Sequence, residues 1–238
     1  MAKYGSNNVT LIIQGFNVSG VSTSLSDVST ANLEETTGLG DAWQEHTSTG
    51  IRTAELNAEG FYDDATDSVN AALSGSEATS KVVSYYYAGG TLGTPFTSHE
   101  GVFAGTYTRQ ATRGELTKAN GTYTVTGVKD EGVIVLPLAA VTATGTGSAT
   151  NHGSSTSSGG AGTLQVTAAS GTSPTADVKI RHSADDATYA DLITFTQATA
   201  RTAERKTVTG TVNQYLKVSY TIGGTGPSFT VVVGFARG

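Results

Sequence analysis

The sequence predicts a mainly β protein: a β-sandwich or barrel with one short flanking helix, followed by a second, C-terminal β-sandwich. Three observations predict it. Apolar and polar residues alternate at period two in many short runs, the mark of half-buried strands. The 238 residues weigh only 24.3 kDa, because 30 Gly and abundant Ser, Thr and Ala replace heavier side chains. A stretch from Thr142 to Gly162 has no apolar side chain larger than Ala, so it cannot nucleate a core and divides the chain. The expected domains are therefore residues 1–144, a Gly/Ser/Thr-rich linker or loop at 145–162, and residues 163–238.

The elements follow in order. Val9, Leu11 and Ile13 alternate with Thr10, Ile12 and Gln14; at Gly15 the phase slips to Phe16 and Val18, which suggests a bulge. Residues 22–49 are poor in large apolar groups and read as a long acidic loop. Ala54, Leu56 and Ala58 alternate with Thr53, Glu55, Asn57 and Glu59. A helix is expected at about 63–74: Asp63, Asp64 and Asp67 suit its N-terminal end, Ala65, Val69, Ala72 and Leu73 form one apolar stripe, and Gly75 can cap it. Val83, Tyr85 and Tyr87 make another strand. Asn120-Gly121 is a hairpin-turn signal before Tyr123 and Val125. Beyond the linker, strands recur at 164–168, 176–182, 215–222 and 229–235.

Several chemistries are excluded or unsupported. With no Cys there are no disulfides, zinc thiolates, iron–sulfur clusters or Cys nucleophiles. His46, His99, His152 and His182 lie far apart, none at metal-ligand spacing. His182-Ser183-Ala184-Asp185-Asp186 superficially suggests a hydrolytic set, but no nucleophile-elbow pattern supports it and a turn between strands explains it. Adjacent carboxylates such as Glu34-Glu35 cannot face each other across a glycosidase cleft. No catalytic, cofactor or metal set is legible. The N-terminus has no secretory pattern, and the longest apolar stretch is about half a membrane span; a soluble protein made in a cytoplasm is expected, with no membrane partner.

The net charge of −6 conceals an asymmetry. Residues 1–144 carry seven Lys/Arg against 15 Asp/Glu, a net of −8; residues 145–238 carry seven against five, a net of +2. Between Asp27 and Asp67 stand ten acids and one base, Arg52.

In this acidic half the residues resemble a known family. The strand with Leu11-Ile12-Ile13, the polar stretch from Ser22, the loop Glu34-Glu35-Thr36-Thr37-Gly38-Leu39-Gly40-Asp41 with Trp43 after it, and Gly60-Phe61-Tyr62-Asp63-Asp64 before the helix are together similar to the major tail tube proteins of long-tailed, siphovirus-like bacteriophages. The likeness covers roughly residues 9–75. The segment from His182 to Tyr220 resembles domains appended to phage tail proteins.

The resemblance implies a structural virion protein and no enzyme: a tail-tube-type sandwich or barrel whose six copies form a ring, with rings self-assembling into a tail tube for DNA ejection. It implies contacts with tape measure, terminator and baseplate components, transient non-specific passage of DNA, assembly in the host cytoplasm and residence in the virion tail. The long segment with Glu34, Glu35, Asp41 and Trp43 is the candidate inter-ring contact. A carboxylate-rich lumen would repel phosphate and let DNA slide; which acids line it is left open. The C-terminal part would lie outside, where it could meet host-surface glycans. A capsid decoration or minor tail protein is the structural alternative. A carbohydrate-binding module, with Tyr85-Tyr86-Tyr87 or Tyr215 and Tyr220 as stacking platforms, is the alternative from another class.

Overall fold

The period-two runs become strands. The computed structural model describes residues 8–37, 42–64, 69–73 and 79–238. In the N-terminal half these form β1 (Thr10–Ile13), β2 (Phe16–Asn17), β3 (Ser22–Glu35), β4 (His46–Phe61), the helix α1 (Val69–Leu73), β5 (Lys81–Tyr86), β6 (Pro95–Gln110), β7 (Lys118–Val125) and β8 (Lys129–Val141). Beyond it come β9 (Gly145–Thr146), β10 (Thr150–Asn151), β11 (Gly160–Ser183), β12 (Ala190–Thr194), β13 (Thr202–Val208) and β14 (Tyr215–Arg237). The protein is mainly β, and its strands join one hydrogen-bonded sheet whose main path runs β12-β11-β14-β8-β6-β5-β1-β2.

Long strands that bend turn this sheet into layers. The first half of β6 pairs with β5 and β8, whereas its second half pairs with β7, which carries β4 and then β3. The bend falls at Gly101, whose φ of +70° suits a residue without Cβ. Leu11, Ile13, Val83 and Tyr85 on one layer thus face Leu56, Ala58, Tyr123 and Val125 on the other, with Ala72 and Leu73 of α1 closing the core. In the C-terminal half, β11 and β14 pair along most of their length through three register shifts. The resulting ribbon encloses Leu164, Val166, Val178, Ile180, Leu216, Val218, Val231 and Phe235.

A third core joins the halves. Because side chains alternate faces, Ile12, Tyr86, Phe96, Ile134 and Val232 point away from the other two cores and pack together, all essentially buried. Beside them Gln165, fully buried on β11, accepts the Gly15 N–H (2.8 Å) and donates to Val82 O (3.2 Å) and Ser84 Oγ (3.0 Å). Arg205 of β13 is bound by both oxygens of Asp130 on β8 and by Glu100 (3.1 Å) on β6. Arg201 lies over the Phe16 ring, 4.3 Å from its centroid.

Four sequence expectations are corrected. The described residues of the 22–49 segment are not an irregular loop: β3 and the start of β4 pair antiparallel as a hairpin, because Ser, Thr and Ala satisfy a ladder without large apolar groups. Residues 145–162 are not a free tether. Their small side chains let β9 and β10 lie along β14, followed by bridges from Thr156 to Val212 and from Ser158 to Gly210. The slip at Gly15 is a two-residue hairpin turn rather than a bulge, with Gln14 at φ +48° and Gly15 at φ +82°. Asn120-Gly121 lies within β7, held by β4 on one edge and β6 on the other; the turn falls earlier, between Gln110 and Lys118. The helix expected at 63–74 is described only at Val69–Leu73, and Gly75 lies outside the described residues.

Candidate functional site

The β3–β4 hairpin leaves the body. Toward its base Leu25, Ala54, Leu56 and Ala58 join the N-terminal core. Beyond that, every described residue from 28 to 37 and from 42 to 53 is exposed. The ladder nevertheless continues, from Val28 opposite Glu55 to Glu35 opposite His46, and Thr36 N–H still donates to Glu45 O at 2.9 Å. Eight residues of β3 therefore run free of the body, about 26 Å at roughly 3.3 Å per residue. An isolated two-stranded ribbon is marginal in water. This arm also exposes Val28, Leu33 and Ile51, each at 50% or more, and Trp43 at 85%.

The root of the arm is fixed by charge. Asp27, the last β3 residue shielded from solvent, receives three donors from three other strands: the Tyr85 hydroxyl of β5, His99 Nε2 of β6 at 3.2 Å, and Lys129 Nζ of β8 at 3.0 Å. Lys129 also reaches Glu131 at 3.0 Å. Burial alone would raise the Asp27 carboxyl, but the Tyr85 and Lys129 hydrogen bonds with the nearby His99 and Lys129 charges outweigh it and hold the pKa below the usual value. Burial outweighs the attraction of the Asp27 carboxylate and pushes the His99 pKa down, while Nε2 stays in hydrogen-bond contact with Asp27. Beside this cluster a wide groove of about 1100 Å³ opens between β1, β5 and the base of β3, lined by Leu11, Ser24, Tyr87 and Glu131 among others.

Of the expected site residues, Glu34 and Glu35 end β3 near the arm tip, both exposed, and Trp43 stands beyond them. Asp41 lies outside the described residues. The sequence reading missed Asp27 as an anchor; an acid at an inward-facing strand position, in phase with Leu25, was the available signal.

Other expectations resolve into packing. Tyr85 and Tyr86 are no glycan platform: Tyr85 is buried on Asp27, and Tyr86 stacks on Phe96 with ring centroids 5.9 Å apart. Tyr220 is half-buried against the C-terminal core. The Ser183 hydroxyl donates to Asp185 (2.7 Å), whose carboxylate also caps the Ala187 and Thr188 N–H groups at 3.0 Å. These bonds, the Thr188 amide foremost, lower the Asp185 pKa to about 2. His182 Nδ1 instead accepts the Asn213 N–H (3.2 Å), so the His-Ser-Asp run is a capped turn. Among the described residues no group of three or more His, Asp or Glu could hold a metal ion, and no helix is long and apolar enough to cross a membrane.

No protein-family model matches the chain, and no curated protein matches it. Solved structures show partial likeness. The tail of an empty gene transfer agent particle, refined helically with C6 symmetry, is 12% identical with a TM-score of 0.42 over 54% of this chain and 97% of that one. The tube-terminating cap of the anti-feeding prophage is 14% identical, with a TM-score of 0.42 over 56% of this chain and 93% of that one. The Dit protein of SPP1, described as a hub of an adsorption apparatus in phages of Gram-positive hosts, is 12% identical at a TM-score of 0.35, covering 95% of this chain and 98% of that one.

Proposed function

We propose that this chain is a structural subunit of a bacteriophage tail, and specifically the major tail tube subunit, whose copies close into six-membered rings that stack into a DNA conduit. The observation that carries the reading is the arm: a ribbon exposed on both faces, with Val28, Leu33, Trp43 and Ile51 uncovered, makes physical sense when another copy covers it. The resemblance of residues 9–75 to tail tube proteins supports the same reading, and the arm is the very segment in which that likeness puts the inter-ring contact. In this proposal residues 1–144, with their net charge of −8, build the ring and its lumen. Residues 163–238 face outward, and the tape measure, terminator and baseplate proteins meet the tube ends.

Trp43 is the one Trp of the chain, so its emission reports the arm alone. Concentrating the protein should give six-fold rings or hollow tubes under negative stain, with Trp43 emission shifting to the blue as the indole leaves water. A protein that stays monomeric at every concentration, its Trp43 emission unchanged, overturns the reading.

A further inference from the structure

The layer β3-β4-β7-β6 has two chemically unlike ends. Strand β4 is 16 residues long and spans the layer, about 50 Å at roughly 3.3 Å per residue. At its His46 end is the arm tip, with exposed Leu33 and Trp43 and the acids Glu34, Glu35 and Glu45; no Lys or Arg occurs between Leu33 and Ile51. At its Phe61 end, antiparallel pairing puts Phe61 opposite Lys118, the first residue of β7, so the β6–β7 turn lies at the far pole. That turn exposes Leu116 at 69%, beside Phe61 at 37%, and holds Arg109, Arg113 and Lys118 against one acid, Glu115. Arg109 is fixed by Asn70 Oδ1 (3.0 Å) and the faces of Tyr62 and Tyr107. Among the described residues Arg113, Lys118, Glu34, Glu35 and Glu45 form no ion pair with the rest of the chain.

We infer that the arm tip of one copy docks on the β6–β7 turn of the next, setting Trp43 and Leu33 against Leu116 and Phe61 and the Glu34, Glu35 and Glu45 carboxylates against Arg113 and Lys118. The occupant is a second copy because each pole carries what the other lacks: opposite charge around an exposed apolar centre, in one hydrogen-bonded layer. Two different patches at opposite ends make a head-to-tail contact, which propagates instead of closing as a dimer. The same poles repel their own kind, so tip-to-tip and turn-to-turn pairing are disfavoured. This inference rests on the reading of the chain as a self-assembling subunit and names the surface that receives the arm.

Charge reversal tests it. E34K/E35K/E45K makes both poles basic, and R113E/K118E makes both acidic. Each variant alone should keep its circular dichroism and melting temperature yet lose sedimentable assembly by at least about tenfold, the effect of some 1.4 kcal/mol per contact. An equimolar mixture should restore assembly, because each tip then meets an opposite turn. A variant that assembles like the parent overturns the docking, as does a mixture that stays dissociated while both variants are folded. If the parent itself never assembles, the tube reading falls and the docking with it; a parent that assembles alongside indifferent variants removes only the docking. In the Cys-free chain, W43C/L116C gives an independent readout. Oxidation should produce a ladder of covalent oligomers, and monomers alone, in a sample that sediments as assemblies, count against the contact.

Discussion

His152 stands half-buried beside Arg237, and its Nε2 atom is enclosed without a hydrogen-bond partner. Burial first, and the Arg237 charge second, lower its pKa from 6.5 to about 4. The unfolded chain therefore binds more protons between those values. The stability this neutral histidine contributes is complete above pH 6.5 and is lost as pH falls toward 4. Burial shifts His99 and His182 in the same direction. Melting temperature should thus decline from pH 7 to pH 4, and H152Q should flatten part of that slope; an unchanged slope counts against the assignment. Arg205 and Asp130 present a different residue-scale risk, since their side chains are only 10% and 8% exposed. Arg205→Ala leaves a buried carboxylate unpaired and should cost about 3–5 kcal/mol by denaturant midpoint, whereas R205M/D130L should recover most of the loss.

At the scale of elements, the arm and the body have separate energetics. The described residues between 28 and 53 bury almost nothing within their own chain, so they add little to its stability. Replacing residues 31–52 by Asn-Gly, which joins the paired Thr30 and Thr53 through a two-residue turn, should leave the melting temperature within about 2 °C of the parent. Assembly followed by sedimentation should disappear in the same protein. A large drop in melting temperature would show that the arm supports the fold, contrary to its exposure. These elements also mark where the sequence was legible. Leu164, Val166, Val178 and Ile180 point inward as their alternation predicts. Strand β3 was not legible, because a ribbon wet on both faces has no buried face to print a pattern. The Asn120-Gly121 turn failed for the opposite reason: strands on both edges override a strong local preference.

For the whole molecule, the decisive feature is that β8 serves both halves. It pairs with β6 on one side and β14 on the other, and Ile134 packs with Val232, 98 positions away in sequence, in the shared core. A chain ending at residue 144 would strip β14 and Gln165 from Phe96, Ile134 and Ser84. It should bind a dye for exposed apolar surface and lack a cooperative melt; a cooperative transition from residues 1–144 alone would show that the shared core is dispensable. The sequence by itself determined the mainly β class, most of the strands, the two-part composition and the acidic weight of the first part, because alternation and charge are written locally. Only the tertiary structure decided that the parts share a core, that Asp27 is gripped by Tyr85, His99 and Lys129, and that an acidic arm and a basic turn stand at opposite poles of one layer. Period two says that a strand has two faces. It does not say which distant face each one meets, and that choice belongs to packing between residues far apart in the chain.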